Sequence, residues 1–304
     1  MIAQLPKISI VTPSLNQGQY IEETILSVLG QKYSNLEYIV IDGGSTDGTV
    51  DRIRKYEKDL SCWLSEPDQG QYHALQKGFE MTTGEIMAWI NSDDKYTTGA
   101  FELVSEVFRA FPQVEWLSSV HELTWGERSY AIACQYAGGF NAASFFRGGN
   151  LPGRSWYARS FIQQESTFWR RSLWERAGGH LDTSIRLAAD FELWSRFFLH
   201  ADLYGVVAPL GGFRMQPDQK TAHFRDEYVC EAEMVLRRHA KRLPGNMESL
   251  FRSALWTAFG CRTLNKMPSF LRRFLCACNL LYPAKVLVYE SVKRSWEIVT
   301  YYLI

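Results

Sequence analysis

The chain has 304 residues, 46% of them hydrophobic, and its 33 Lys and Arg are balanced by 33 Asp and Glu. That apolar content excludes wholesale disorder, and the length admits one large α/β domain or two smaller ones. A net charge of zero excludes a generic nucleic-acid binder, so no nucleic-acid partner is expected. The balance hides an asymmetry. From Leu236 to Ile304 there are twelve Lys and Arg against three Glu, leaving a tail of net charge +9 and an acidic body. Such a tail is suited to meeting something anionic. None of the six cysteines falls in a zinc or redox CxxC spacing. The N-terminus lacks a signal-peptide core, and no uncharged apolar run reaches the roughly 18 residues that span a bilayer. A cytoplasmic protein with reduced thiols is the expectation.

In chain order, Lys7 to Thr12 reads as a buried strand, followed by the loop Pro13 to Gly18 and a helix from Tyr20 to Gly30. A second strand, Glu37 to Ile41, runs into Asp42-Gly43-Gly44-Ser45-Thr46-Asp47-Gly48-Thr49. A helix over residues 49–58 follows, then a short strand Cys62 to Ser65 and the turn Glu66-Pro67-Asp68-Gln69-Gly70. Tyr72 to Met81 is a predicted helix and Glu85 to Ile90 a strand that runs into Asn91-Ser92-Asp93-Asp94. This alternation predicts parallel βαβ units. After Phe111-Pro112 the rhythm changes. Val114 to Val120 is a predicted strand, and the glycines at 138, 139, 148, 149 and 153 predict a long mobile loop. Phe161 to Arg170 reads as a strand and turn, Ser172 to Ala177 as a short helix, and Phe191 to His200 as an amphipathic helix. From Asp226 onward the chain reads as helices.

Twice, an apolar strand delivers carboxylates to its C-terminal end, where open α/β sheets bind ligands. Carboxylates there hold a ribose, a base edge or a divalent cation on phosphates. Asp42 answers to that description, or it braces its own turn; Asp47, just before Gly48-Thr49, reads as a helix cap. The adjacent Asp93 and Asp94 repel each other unless a cation or hydrogen bonds compensate, and a metal on a diphosphate does both. Together they point to a nucleotide-using enzyme.

Four segments, TPSLNQGQYIEETILSVLGQ, YIVIDGGSTDGT, EPDQGQYHALQKGF and GEIMAWINSDD, carry a resemblance in order and spacing to the family 2 glycosyltransferases. It is greatest to bacterial members that build surface polysaccharides and covers roughly residues 7–225. The resemblance implies a GT-A fold, an α/β Rossmann-like core with a mixed central sheet, and inverting transfer from a nucleotide-diphospho-sugar. It implies a nucleotide-sugar-binding half over 1–112 and an acceptor and catalytic half over 113–235; beyond it, 236–304 reads as a basic, aromatic, helical tail. By motif, Thr12 and Asp42 hold the nucleobase, Pro13 and Ser14 are nucleotide-sugar-binding beside them, and Asp68 and Lys77 line the nucleotide site. Asp93 takes the ribose or donor sugar. Asp94, with Asp93, holds Mn2+ or Mg2+ on the diphosphate. Asn91 stands where many relatives carry Asp, and Gln216 where many carry His; His223 is a candidate substitute for the latter. Ala188-Ala189-Asp190-Phe191-Glu192 resembles the catalytic-base segment, with Asp190 as base and Glu192 as second choice. Residues 163–171 resemble a segment near the acceptor, where the arginines read equally as a solvated face. Arg214 is a positive charge for the leaving diphosphate. The expected acceptor is a glycan on a lipid carrier at the inner membrane face. The tail, with Arg and Lys among Phe, Leu, Trp and Tyr, either lies on an anionic membrane or packs as a subdomain.

Two rival functions share the nucleotide-binding core. A sugar nucleotidyltransferase calls for a Gly-rich basic loop near the first strand, and Thr12 to Gly18 holds no Arg or Lys. A nucleotide-sugar-binding assembly subunit without turnover is disfavoured by the acids at 42, 93, 94 and 190.

Overall fold

The computed structural model describes residues 5–151, 161–217, 219, 223–239 and 267–303. Its frame is a nine-stranded sheet. β1 (Ile8–Ser14), β2 (Leu36–Asp42), β3 (Cys62–Ser65) and β4 (Ile86–Trp89) are parallel, in the spatial order β4-β1-β2-β3. β1, β2 and β4 are buried almost throughout, as parallel strands covered by helices must be, while β3 is the partly exposed edge strand. The crossovers carry α1 (Ile21–Leu29), α2 (Thr49–Arg54) and α3 (Gln71–Glu80). Helix α3 lies close on the sheet because residue 78 is glycine. A Cβ there would come within 2.4 Å of a Val11 methyl carbon.

β5 (Lys95–Tyr96) and α4 (Ala100–Ala110) lead into β6 (Trp116–Ser119) of the large sheet. β7 (His121–Trp125) and β8 (Ala131–Tyr136) form a hairpin, and with β5 and β11 (Gly211–Arg214) they build a second sheet in the order β5-β11-β7-β8. Sequence reading missed this hairpin, because β8 is exposed along its length and offers little alternation. The expected mobile loop after Gly138 is instead built into the fold through residue 151. It contains α5 (Ala142–Phe146), capped by the Asn141 side chain, and it buries Phe145 and Leu151. Gly153 lies outside the described residues. β9 (Thr167–Arg170) runs antiparallel between β4 and β6, which makes the sheet mixed. α6 (Arg171–Arg176), α7 (Ala189–Phe198), β10 (Leu203–Val206) and α8 (Arg225–His239) complete the body.

The tail departs from expectation. Residues 240–266 lie outside the described residues. Beyond them come the expected helix α9 (Ser269–Ala277) and then two strands, β12 (Tyr282–Glu290) and β13 (Ser295–Leu303), paired along nine residues. β12 pairs in parallel with β10 and so extends the central sheet. Its alternation is the reason: Tyr282, Ala284 and Val286 are buried while Pro283 and Lys285 are exposed, a period of two.

Beneath the C-terminal edge of β4 lies an aromatic core. Trp89 stacks on Trp194 at 5.6 Å with an 11° interplanar angle, and Trp169 meets both edge-on. Such close packing fixes the strand end that carries Asn91 to Asp94.

Candidate active site

The ends of β1, β2 and β3 lie in register, with Ser14 beside Asp42 and Asp42 beside Ser65. Asp42 is fully buried, and both of its carboxylate oxygens accept from within the chain. Oδ2 accepts from Gly44 N (3.1 Å), Ser45 N (2.9 Å) and Ser65 Oγ (2.7 Å), and Oδ1 accepts from Ser45 Oγ (2.5 Å). These bonds make Asp42 a brace of the Gly43–Ser45 turn at the edge where the nucleobase contact is expected. Thr12 is likewise enclosed, bonded to Tyr38 Oη at 3.0 Å, and Pro13 is buried within β1. Ser14 is the exception, since its buried hydroxyl has no partner among the described residues. Asp47, expected as a helix cap, instead braces the turn just before α2, whose N-cap is Gly48: it accepts from Gly18 N and from Thr49.

Asp68 reaches the same edge from the turn after β3. It is half-buried, Oδ1 accepts from Gly70 N at 2.7 Å, and Oδ2 lies 2.9 Å from where a Cβ on residue 43 would sit. Gly43 thus clears the space this carboxylate occupies. Lys77 is paired with Glu66.

The acidic loop after β4 divides its two aspartates. Asp94 is 3% exposed. Its Oδ1 accepts the Arg214 backbone N–H (2.7 Å) and its Oδ2 the Asn91 amide (3.0 Å). Burial, then the charges of Asp93 and Glu165, push its carboxyl well above the usual range. Asn91 also accepts from Gln71 Nε2 at 2.7 Å, so a neutral amide here satisfies two neighbours without adding a third charge. Asp93 is half-buried, and its Oδ2 accepts from Gln216 Nε2 at 2.8 Å. Arg214 is 0% exposed. Its guanidinium bonds Asp93 O, Gly126 O, Glu127 O, Ser129 Oγ and Glu23 Oε2, the last at 2.6 Å. Every side-chain nitrogen of this residue, expected to face a leaving diphosphate, ties the acidic loop to α1 and the hairpin.

Asp190 opens α7 and is half-buried. Burial raises its carboxyl to about 6, partly offset by the Phe191 N–H and by Tyr228, while Glu231 adds to the rise. A carboxylate with that proton affinity is suited to general-base work near neutrality. Glu192, the second choice, forms a bidentate pair with Arg196 at 2.8–3.1 Å on the buried side of the helix. Tyr72, one residue after Gln71, donates to Leu187 O at 2.7 Å and faces Asp190. The N-terminus of α3 thereby joins the acidic loop to the base segment.

Other expectations resolve into structure. Arg170 and Arg171 bind the carbonyls of Val114, Phe108 and Gly84. His223 lies beside Pro217 O. Tyr72, Tyr228, Glu231 and Glu165 were not foreseen. Glu165 is buried beside Glu122 and Asp93, and burial pushes it up to about 8. Glu165 lies in the 163–171 segment already singled out, but Ile162 to Trp169 is mostly polar and gave no sign that this carboxylate is buried.

The model of the family described as "Glycosyl transferase family 2" matches residues 9–165. The chain belongs to that family. The Bacillus subtilis relative "Putative teichuronic acid biosynthesis glycosyltransferase TuaG" is 38% identical over 100 residues, which is 32% of this chain and 40% of TuaG. The uncharacterized glycosyltransferase RP339 of Rickettsia prowazekii is 25% identical over 204 residues, 66% of this chain and 61% of its own length. The chain thus spans less than two thirds of these curated relatives. Among solved structures, S. aureus TarS 1-349 in complex with UDP-GlcNAc superposes with a TM-score of 0.60 at 14% identity, over 90% of this chain and 75% of TarS 1-349. The mannosyltransferase PcManGT from Pyrobaculum calidifontis, in complex with GDP-Man and Mn2+, gives 0.56 at 18% identity over 91% and 80%. At these identities the likeness carries the fold, which is the expected GT-A Rossmann-like core with a mixed central sheet.

Proposed function

We propose that this family 2 protein moves a sugar, with inversion, from a nucleoside diphosphate sugar to a hydroxyl of a glycan acceptor in bacterial surface-polysaccharide assembly. The observation that carries the reading is Asp190, a half-buried carboxyl held at about 6 and joined through Tyr72 and Gln71 to the acidic loop at the sheet's C-terminal edge. As base, Asp190 takes the acceptor proton while that oxygen attacks the anomeric carbon opposite the leaving diphosphate. Ser14 and Asp68 are the groups offered to the nucleotide at the β1–β3 edge.

For the cation, the acidic loop provides oxygen donors suited to a hard divalent ion. The ion-holding role expected of Asp94 is better given to Asp93 with Gln216, because both Asp94 oxygens are taken by protein donors. When bound, Mn2+ or Mg2+ neutralises charge on the leaving diphosphate. PcManGT, of the same fold, is solved with Mn2+. One or two protein carboxylates with substrate phosphates suffice for such an ion.

The acceptor is read as lipid-linked and met at the inner membrane face. Among the described residues no helix is long and apolar enough to cross a membrane. Phe270 and Phe274, one turn apart on α9, are 72% and 62% exposed beside Arg273. An amphipathic helix of that kind lies in an anionic interface.

The test is release of nucleoside diphosphate from a panel of nucleoside diphosphate sugars, with and without Mn2+ and glycan acceptors. Asp190→Asn should lower turnover ~10²–10⁴-fold while donor binding is kept. Parent-rate turnover by Asp190→Asn, or no binding of any donor by the parent, overturns the reading.

A further inference from the structure

We infer that α8 is a positioning helix for the base, with Tyr228 and Glu231 setting where the Asp190 carboxylate stands and what surrounds it. The inference rests on Asp190 being that base. The entry to α7 needs outside help, because its N-cap residue is Ala188, which has no side chain to cap with. Glu231 supplies it from another helix. Its Oε2 accepts from Leu187 N (2.8 Å) and Ala188 N (2.9 Å), and its Oε1 from Arg186 N (3.3 Å). Tyr72 fixes the same segment from the opposite direction by donating to Leu187 O. Tyr228, one turn before Glu231, places its hydroxyl 3.3 and 3.4 Å from the two oxygens of Asp190. One helix therefore holds both the backbone that precedes the base and the carboxylate itself.

Helix α8 is anchored well enough for the task. Ala232, Val235 and Leu236 are buried with Tyr228, and Arg238 pairs with Asp182 at 3.6 Å. The groups facing Asp190 are Tyr228 and Glu231 from α8 and Tyr72 from α3. Glu192 on α7 itself is turned to Arg196, and the Arg186–Glu227 pair lies at the exposed rim. The two α8 groups act in opposite senses. The Tyr228 hydroxyl stabilises the ionised carboxylate, and the Glu231 charge opposes it.

The experiment is the pH profile of kcat for the full chain, with a nucleoside diphosphate sugar that the parent turns over, for Tyr228→Phe, Glu231→Gln and Asp190→Asn. Tyr228→Phe should move the acid limb up, and Glu231→Gln should move it down, each by about half a pH unit or more. At the parent's optimum kcat should fall ~5–50-fold, with KM for the donor within ~3-fold. An acid limb unmoved in both variants overturns the inference, as does a loss shared equally between kcat and donor KM. If Glu231→Gln fails to fold, the Tyr228→Phe limb decides by itself. Full activity in Asp190→Asn removes the base reading and this inference together. A dead Asp190→Asn with unmoved limbs removes only the inference.

Discussion

At the scale of single residues, the division between Asp93 and Asp94 decides how the acidic loop works. Asp94 is enclosed and accepts from Arg214 and Asn91, whereas Asp93 is less buried and meets Gln216. Asp93→Asn should weaken the Mn2+ dependence of nucleotide-sugar turnover at least ~10-fold and leave the thermal midpoint near the parent's. Asp94→Ala should lower the midpoint, since it strands the Asn91 amide and the Arg214 N–H. A metal titration and a melting curve on each variant check this, and the reverse assignment returns Asp94 to the ion. Arg214 offers a second contrast. Removing a buried, fully hydrogen-bonded guanidinium leaves Glu23 and three carbonyl groups without their donor. Arg214→Met should cost about 3–5 kcal/mol in denaturant unfolding. Unchanged stability with weakened diphosphate binding would restore the phosphate-facing role.

At the scale of elements, the C-terminal hairpin matters most. β12 adds to β10 along one edge, and Val286 and Leu287 are 0% exposed. Gly139 leaves room for this strand, because a Cβ there would come within 2.7 Å of the Ala284 Cβ and 3.1 Å of a Val286 methyl carbon. Leu287→Ala should therefore cost about 2–5 kcal/mol in the unfolding of the whole domain. A separate, earlier transition for the tail would show instead that the hairpin is an independent appendage. At the opposite end of the sheet, Glu37 ties β2 to Lys7, Ser9 and Thr83; burial opposes its charge, but these partners hold it down to about 2. Sequence reading found β1 to β4 because each is a short apolar run ended by turn residues. It missed β10 and β11, which are four-residue strands set by their neighbours.

At the scale of the whole molecule, the tail's charge acquires a narrower meaning. Lys285 pairs with Asp202 on the body and Lys293 with Glu297, so these two cations are partly spent internally. Five of the twelve tail cations lie in 240–266, outside the described residues. The face offered by α9 is Phe270, Phe274 and Arg273. The full chain should sediment with anionic liposomes at low salt, less at high salt, and less with neutral lipid. Phe270→Ser with Phe274→Ser should remove the salt-resistant part. A parent protein left in the supernatant at low salt would make α9 a packing element.

Sequence alone determined the parallel βαβ core, the placing of acids at the C-terminal edge, and Asp190 at the start of α7. These are local consequences: strand periodicity, turn chemistry and a helix start are written within a dozen residues. It also carried the family resemblance, because the motifs are contiguous. Only the tertiary structure decided which protein donors each acid meets. Whether Asp42 or Asp94 faces a ligand depends on donors from Ser65 and Arg214, which lie 23 and 120 residues away. The tail's conversion from expected helix to sheet edge has the same cause, since a strand at the margin is stabilised by the neighbour it finds on β10. Burial and hydrogen-bond satisfaction are properties of the assembled chain, and they separate a residue that works on a substrate from one that holds the site in place.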